Sequence, residues 1–270
     1  MNELLNLAKI AALNAGKEIL KHYNDYKVVK KPDNSPLTSA DLAANEAIFK
    51  ILGKTGIEIC SEESILEADK MGENDIFWLV DPLDGTRDFI AKNGEFCVCI
   101  TLIKNSRPIL SVIFIPTKNE LFYSAGENKV FINDELIKPN LDCKTPNLLL
   151  LGRSGMGKRR IALAKSFGLS FKRVGSAIKF CQITKSQAML YPRFGDSYLW
   201  DIAAGDFLVV QSGGIILDLK TKKKPLYNGK KLLNSPFIAI DKNSIHLKEQ
   251  ILKKIDEILV KEKSNNNATF

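Results

Sequence analysis

The sequence predicts an α/β (α+β) layered fold. Two amphipathic helical patterns open the chain, a block of apolar strand patterns follows, and helices and strands then alternate through the second half. With 270 residues, 45% hydrophobic and 26% charged, there is material for one large domain or two closely packed ones.

Residues 3–23 place Leu4, Ala8, Ala11, Ala12, Ala15, Ile19 and Leu20 at helical spacing. Lys30 to Pro36 reads as a polar loop with two prolines. Thr38-Ser39-Ala40-Asp41 fits a capping box and predicts a helix from there to Leu52. Ile57 to Cys60 is a short strand that runs into Ser61-Glu62-Glu63-Ser64. Ile76 to Val80 reads as a buried strand. Pro82 has no amide hydrogen and a fixed φ, so pairing is expected to end there, with Asp81 and Asp84 leaving on a tight loop. Phe96–Ile103, Pro108–Ile115 and Leu121–Ser124 are successive strands, and Val130–Ile137 is a hairpin turning at Asn133-Asp134.

Composition turns polar around Lys144-Thr145-Pro146, which suggests a seam. The expected organisation is an N-terminal α+β subdomain over 1–143, a C-terminal α/β subdomain over 144–263, and a flexible tail over 264–270. Within the second part, strands are predicted at Leu148–Leu151, Ser170–Val174 and Met189–Tyr191. Helices are predicted at Lys158–Phe167, Ala177–Lys185, Trp200–Ser212 (stopped by Gly213-Gly214) and Lys248–Lys261.

No apolar run approaches the roughly 20 residues of a membrane helix, and the first residues lack the basic region of a secretory signal, so a cytoplasmic location is expected. The five cysteines include no CxxC pair, and Cys97 and Cys99 alternate on one strand face as packed thiols. Two histidines do not make a zinc site, so any metal should be a hard cation held by oxygen: magnesium, manganese or calcium. The net charge of +8 reads as a lysine-rich solvated surface, with no basic stripe interleaved with aromatics. Nucleic acid is therefore not expected as a partner, and the basic surface leaves peripheral contact at the inner face of the membrane open.

Asp41, Glu62, Asp81, Asp84 and Asp201 all stand at element ends, where an α/β protein assembles a site. Carboxylates as close as Asp81 and Asp84 repel unless a cation or proton lies between them. Gly85-Thr86 could open a helix and aim amides at an anion, and the pairing of cation and anion sites points to metal-assisted phosphate chemistry. Rival motifs fail in detail. Gly152 to Lys158 matches GxxxxGK, but Arg159 stands where a P-loop needs Ser or Thr. Asp81 and Asp84 are spaced three apart rather than the two of a haloacid-dehalogenase pair, and Met156 spoils a nucleophile elbow.

Trp78-Leu79-Val80-Asp81-Pro82-Leu83-Asp84-Gly85-Thr86, Ser61-Glu62-Glu63 and Trp200-Asp201-Ile202-Ala203-Ala204-Gly205 resemble the three signatures of inositol-monophosphatase-like phosphatases, in the family's order. Lys31 to Asp41, Gly175 to Cys181 and Leu190 to Gly195 resemble the CysQ-type 3'(2'),5'-bisphosphate nucleotidases within that family. One departure is Arg153-Ser154-Gly155, where those nucleotidases often carry Ser-Arg-Ser-His.

The resemblance implies an αβαβα sandwich of the inositol monophosphatase / fructose-1,6-bisphosphatase type. It implies a small phosphorylated substrate, adenosine 3',5'-bisphosphate, cleaved to AMP and phosphate in clearing a by-product of sulfate assimilation. An inositol or sugar monophosphatase is the alternative, and a monomer or homodimer is expected. Two to three Mg2+ ions are implied, with Mn2+ as a substitute. Glu62, Asp81 and the Leu83 carbonyl would hold one ion. Asp81, Asp84 and Asp201 would hold a second, and a third would share Glu62. Asp41 with the Thr86 hydroxyl would activate water, and the Gly85 and Thr86 amides would hold phosphate. Ser176 and Lys179, one helical turn apart, would reach a second anionic group together with Arg193.

Overall fold

The protein is described by a computed structural model that covers residues 1–31, 35–71, 75–137, 146–153, 157–228 and 232–267, with no side-chain description for 68, 69 and 261–267. The expected seam at 143/144, the prolyl stretch 32–34, residues 154–156 and the end of the tail, 268–270, lie outside the described residues.

Helices α1 (Asn2–Lys21) and α2 (Ser39–Leu52) are joined through a hairpin of β1 (Val28–Lys30) and β2 (Pro36–Thr38). This hairpin replaces the expected loop. Three-residue strands that begin or end beside a proline carry too little pattern to be read. The capping box forms as expected: Thr38 caps α2, and the side chain of Asp41 reaches back to the Thr38 amide.

A seven-stranded sheet follows in simple order: β3 (Ile59–Ser61), β4 (Ile76–Asp84), β5 (Cys97–Lys104), β6 (Arg107–Ile115), β7 (Glu120–Ser124), β8 (Phe131–Ile132) and β9 (Glu135–Leu136). All pairs are antiparallel except β3 with β4. The β8–β9 turn is made by Asn133 and Asp134, both at positive φ, the geometry a two-residue hairpin needs. The short helix α3 (Thr86–Ile90) leaves the end of β4.

The second sheet has the order β11-β10-β12-β16-β14, built from β10 (Leu148–Leu151), β11 (Ser170–Arg173), β12 (Leu190–Arg193), β14 (Ile215–Asp218) and β16 (Phe237–Ile240). A small pair, β13 (Ser197–Tyr198) and β15 (Leu233–Asn234), lies apart. The remaining helices are α4 (Lys158–Ser166), α5 (Ile178–Thr184), α6 (Trp200–Gln211) and α7 (Lys248–Asn267). Helix α7 continues past Lys261, where the apolar stripe stops, so backbone helicity outlasts the pattern that predicted it.

Three apolar clusters bind the layers. One joins α1 and α2 to the first sheet through Ala12, Ile48, Trp78, Val80, Val98 and Ile100. The second fills the space between the two sheets around α5 and α6, using Phe77, Leu79, Phe180, Leu208 and Phe237. The third packs α4 and α7 on the outer face of the second sheet through Leu151, Leu163, Ile240 and Ile251. Along β4, Trp78 and Val80 face one cluster while Phe77 and Leu79 face the other, so the period-2 pattern is filled on both sides. The result is an αβαβα sandwich. Among the described residues no helix is long and apolar enough to cross a membrane.

The middle helix α6 is held to both sheets. Gly205 leaves room for the Phe180 ring, since a Cβ there would lie 2.2 Å from ring atoms. Asp206 is fully buried and pairs with Arg107 at 2.7 Å, and the Tyr227 hydroxyl donates to it at 3.0 Å.

Candidate active site

Strand β4 does not stop at Pro82. It stays paired to Asp84, with a register shift: Asp81 faces Cys99, and three residues later Asp84 faces Cys97. Two residues on β4, Pro82 and Leu83, therefore oppose one on β5, Val98. Pro82 and Leu83 bulge out of the ladder, where the missing proline amide is not needed. The bulge also sets side-chain direction. In a regular strand residues three apart point to opposite faces, whereas one extra residue brings Asp81 and Asp84 to the same face. The amide of Leu83 donates to Asp81 Oδ1 at 3.0 Å and fixes the bend.

Gly85 then takes φ +97°, a region open to glycine, and α3 starts at Thr86. The Thr86 hydroxyl lies 3.1 Å from Asp41 Oδ1 and 3.3 Å from the Leu83 carbonyl. Asp41 is itself tied at Oδ2 by the Thr38 amide at 2.7 Å and the Thr38 hydroxyl at 2.5 Å. Thus the third residue of α2 and the first of α3 meet at one hydrogen bond.

A cavity of about 620 Å³ is lined by Glu62, Asp81, Leu83, Asp84, Gly85, Thr86, Ser176, Lys179, Arg193 and Asp201. Every expected site residue except Asp41 borders it, and Asp41 reaches it through the Thr86 hydroxyl. Asp201 enters from the first turn of α6, with the Tyr198 amide donating to it at 3.2 Å, and the Ala177 amide donates to Asp84.

The carboxylates strain against one another. Burial pushes Asp81 well above the ordinary range, with Glu62, Asp84 and Asp201 adding to it. Asp84 is raised to about 6 by burial, against the pull of Lys179 and the Ala177 amide. Asp201 is raised to about 7 by burial and Asp84, with Arg193 opposing. Burial also raises Asp41. An all-oxygen donor set with this excess of negative charge fits hard divalent cations such as Mg2+.

Lys179 is only 5% exposed, not a surface charge. Its Nζ donates to the carbonyls of Val174 (3.2 Å) and Ser176, and it lies 5.2 Å from the Tyr191 ring centroid. Ser176 is not on the helix with it: it precedes α5 at φ +46°, so the expected one-turn relation gives way to a bend. Arg193, at the end of β12, donates to the Asp196 carbonyl at 3.0 Å. A second cavity of about 480 Å³ shares Gly152, Tyr191 and Arg193 with the first and is lined by Lys158, Arg159 and Arg160. This is the stretch that mimics a P-loop; Gly157 and Lys158 do open α4, and Ser154, Gly155 and Met156 lie outside the described residues. Arg153 is engaged by Glu95 at 2.7 Å and Asp88 at 3.0 Å.

Lys31 was missed as a site residue. Its Nζ bridges Glu62 and Glu63, at 2.7 Å from each, from the end of the first hairpin. No local signal marks it, because Glu62 and Glu63 lie beyond β2, α2 and β3 in the chain. The same bridge gives Glu63 a partner.

A model of the inositol monophosphatase family matches residues 1–259. The 3'(2'),5'-bisphosphate nucleotidase CysQ of Buchnera aphidicola is 40% identical over 212 residues, covering 75% of this chain and 80% of that protein. CysQ of Escherichia coli K12 is 36% identical over 234 residues, 84% of this chain and 95% of its own length. The crystal structure of CysQ from Bacteroides thetaiotaomicron superimposes with a TM-score of 0.76 at 33% identity, covering 88% of this chain and 97% of that one. The chain belongs to the inositol monophosphatase family, whose members are metal-dependent phosphatases.

Proposed function

We propose that the protein is a magnesium-dependent 3'(2'),5'-bisphosphate nucleotidase that removes the 3'-phosphate of adenosine 3',5'-bisphosphate to give AMP and phosphate. The observation that carries this reading is a cavity with four converging carboxylates beside a strongly basic one, the two sharing Gly152, Tyr191 and Arg193 as walls. A monophosphate would use only the first of these. The names of the CysQ relatives support the same substrate class. A cytoplasmic location goes with that reading.

Glu62, Asp81 and the Leu83 carbonyl would hold one Mg2+, and Asp81, Asp84 and Asp201 a second, with Mn2+ as a substitute. A third ion would share Glu62 with Lys31. Bound there, the ions would acidify water and neutralise charge on the leaving oxygen. The chain's own part is proton handling. Thr86 donates to Asp41 Oδ1, which leaves its oxygen lone pairs facing the cavity to accept a proton from water. Asp41, fixed at its other oxygen by Thr38, receives the proton that Thr86 passes on. Burial raises Asp41, which suits a base more than an idle carboxylate does. Ser176, Lys179 and Arg193, with the Gly85 and Thr86 amides, would hold phosphate oxygens.

The reading is tested by comparing rates on adenosine 3',5'-bisphosphate, inositol 1-phosphate and fructose 1,6-bisphosphate with Mg2+. A preference for either of the latter two would overturn it. In Lys179→Ala, KM for the bisphosphate should rise about tenfold or more, the worth of a hydrogen bond to a charged group. Inositol 1-phosphate should be affected less, and equal effects would speak for the monophosphatase alternative.

Metal binding should also depend on pH. Asp84 and Asp201 hold protons up to about 6 and 7, and a divalent ion must displace them. Affinity for Mg2+ should therefore weaken as pH falls through that range, with protons released on binding. Calorimetry in buffers of different ionisation enthalpy measures both. An affinity flat from pH 8 to 5.5 would contradict the carboxylate assignment.

A further inference from the structure

Directly behind Asp84 lie two thiols that the proposed reaction does not use. The bulge that turns Asp84 into the cavity also sets it opposite Cys97, and Cys99 follows on the same strand face. Cys97 Sγ is 3.9 Å from Asp84 Oδ2 and 3.9 Å from Cys99 Sγ. Ligand atoms of all three lie within 4.8 Å of one another. Both cysteines are buried and free.

Two of the three edges lie close to those of a coordination shell. A tetrahedral zinc ion, with bonds of about 2.3 Å to sulfur and about 2.0 Å to oxygen, spans a sulfur–sulfur edge of about 3.8 Å and a sulfur–oxygen edge of about 3.5 Å. The donor set is also the wrong kind for magnesium and the right kind for a thiophilic ion. Asp84 borders the open cavity with Cys97 and Cys99 buried behind it, so an ion would enter past Asp84.

We propose that Cys97, Cys99 and Asp84 form a site for a thiophilic divalent cation of the zinc class, and that its occupation silences the enzyme by drawing Asp84 away from magnesium. Each thiol gives up a proton on binding, so two protons leave as the ion enters, and no electrons are exchanged. The silencing rests on the function proposed above, whereas the binding does not.

The test begins with metal-free protein titrated with Cd2+, followed by the ultraviolet charge-transfer absorption of cadmium–thiolate bonds. One equivalent should bind with that absorption, and Cys97→Ser and Cys99→Ser should each weaken it about tenfold or more, since even an outer neighbour of a ligand is worth that much. In parallel, turnover with saturating Mg2+ is measured against added Zn2+. Cys97→Ser should keep the parent's turnover and need about tenfold more Zn2+ for half-inhibition. Binding without thiolate absorption, or absorption and affinity unchanged in both variants, overturns the site. Equal Zn2+ sensitivity in parent and variants overturns the silencing. Should a serine variant fail to fold by circular dichroism, alanine at the same position is read in the same two assays. A protein that binds Cd2+ as described but hydrolyses none of the phosphates fails the proposed function and leaves the site standing.

Discussion

Turnover should fall by more than about a hundredfold in Asp84→Asn and in Asp201→Asn. Altering a residue that only supports a ligand already reaches that loss, and these substitutions would change the ligands themselves. The same variants should gain stability when no metal is present. Both carboxyls titrate above their unfolded value near 3.9, Asp84 at about 6 and Asp201 at about 7, because they are buried beside each other. A raised folded pKa means the ionised group works against folding. That penalty is complete above about pH 7 and vanishes below the unfolded value. With EDTA at pH 8, the parent should therefore melt below either variant, and acidification to pH 6 should narrow the gap. Added Mg2+ should stabilise the parent and do little for the variants. Melting curves with and without EDTA, run beside the activity assay, check both halves. An active variant, or one that melts lower than the parent in EDTA, would refute the role given to these acids.

A large loss of stability is expected from Arg107→Ala, far in sequence from the acids. Asp206 is fully buried on α6, and its Oδ2 is shared by Arg107 at 2.7 Å and Tyr227 at 3.0 Å. Its Oδ1 has no hydrogen-bond partner among the described residues. Burial raises the carboxyl, and Arg107 is what chiefly opposes that rise. Removing one partner of a buried pair leaves a lone charge and costs about 3–5 kcal/mol. For a chain of this size that lowers the melting temperature by roughly 10 °C. The double change Arg107→Met with Asp206→Leu should recover much of the loss, because an apolar pair of similar volume substitutes well for a buried ion pair. Calorimetric melting of the single and double variants distinguishes charge burial from lost packing. A double variant no better than Arg107→Ala would assign the effect to packing.

Much of this architecture could be read directly. The capping box at Thr38 and Asp41 depends on local chemistry, and it forms with both hydrogen bonds. The Asn133-Asp134 turn is similarly local, since both residues tolerate positive φ. Strands β4 to β7 were legible because both faces are buried and the apolar runs are long. Features that depend on partners distant in sequence were hidden. The first hairpin is short and largely exposed, and β14 and β16 acquire their roles only by pairing with each other and with β12. Among site residues, the grouping of Asp41, Glu62, Asp81, Asp84 and Asp201 followed from their places at element ends. Lys31 did not, because nothing in its neighbourhood says which acids, a whole helix further along the chain, it will meet. The continuation of β4 through Pro82 was misjudged because a proline forbids a ladder bond only where one is required.

The flaw in β4 has a wider meaning. One residue fewer between Asp81 and Asp84 would mend the ladder, leave fewer backbone groups unpaired, and still point both acids the same way. What it would remove is the outward kink that presents the Leu83 carbonyl and launches the chain toward Thr86. Tidiness and chemistry are thus in direct opposition at this one spot, and a redesign that rewards only ideal pleating would delete the residue on which the proposed reaction centre hangs.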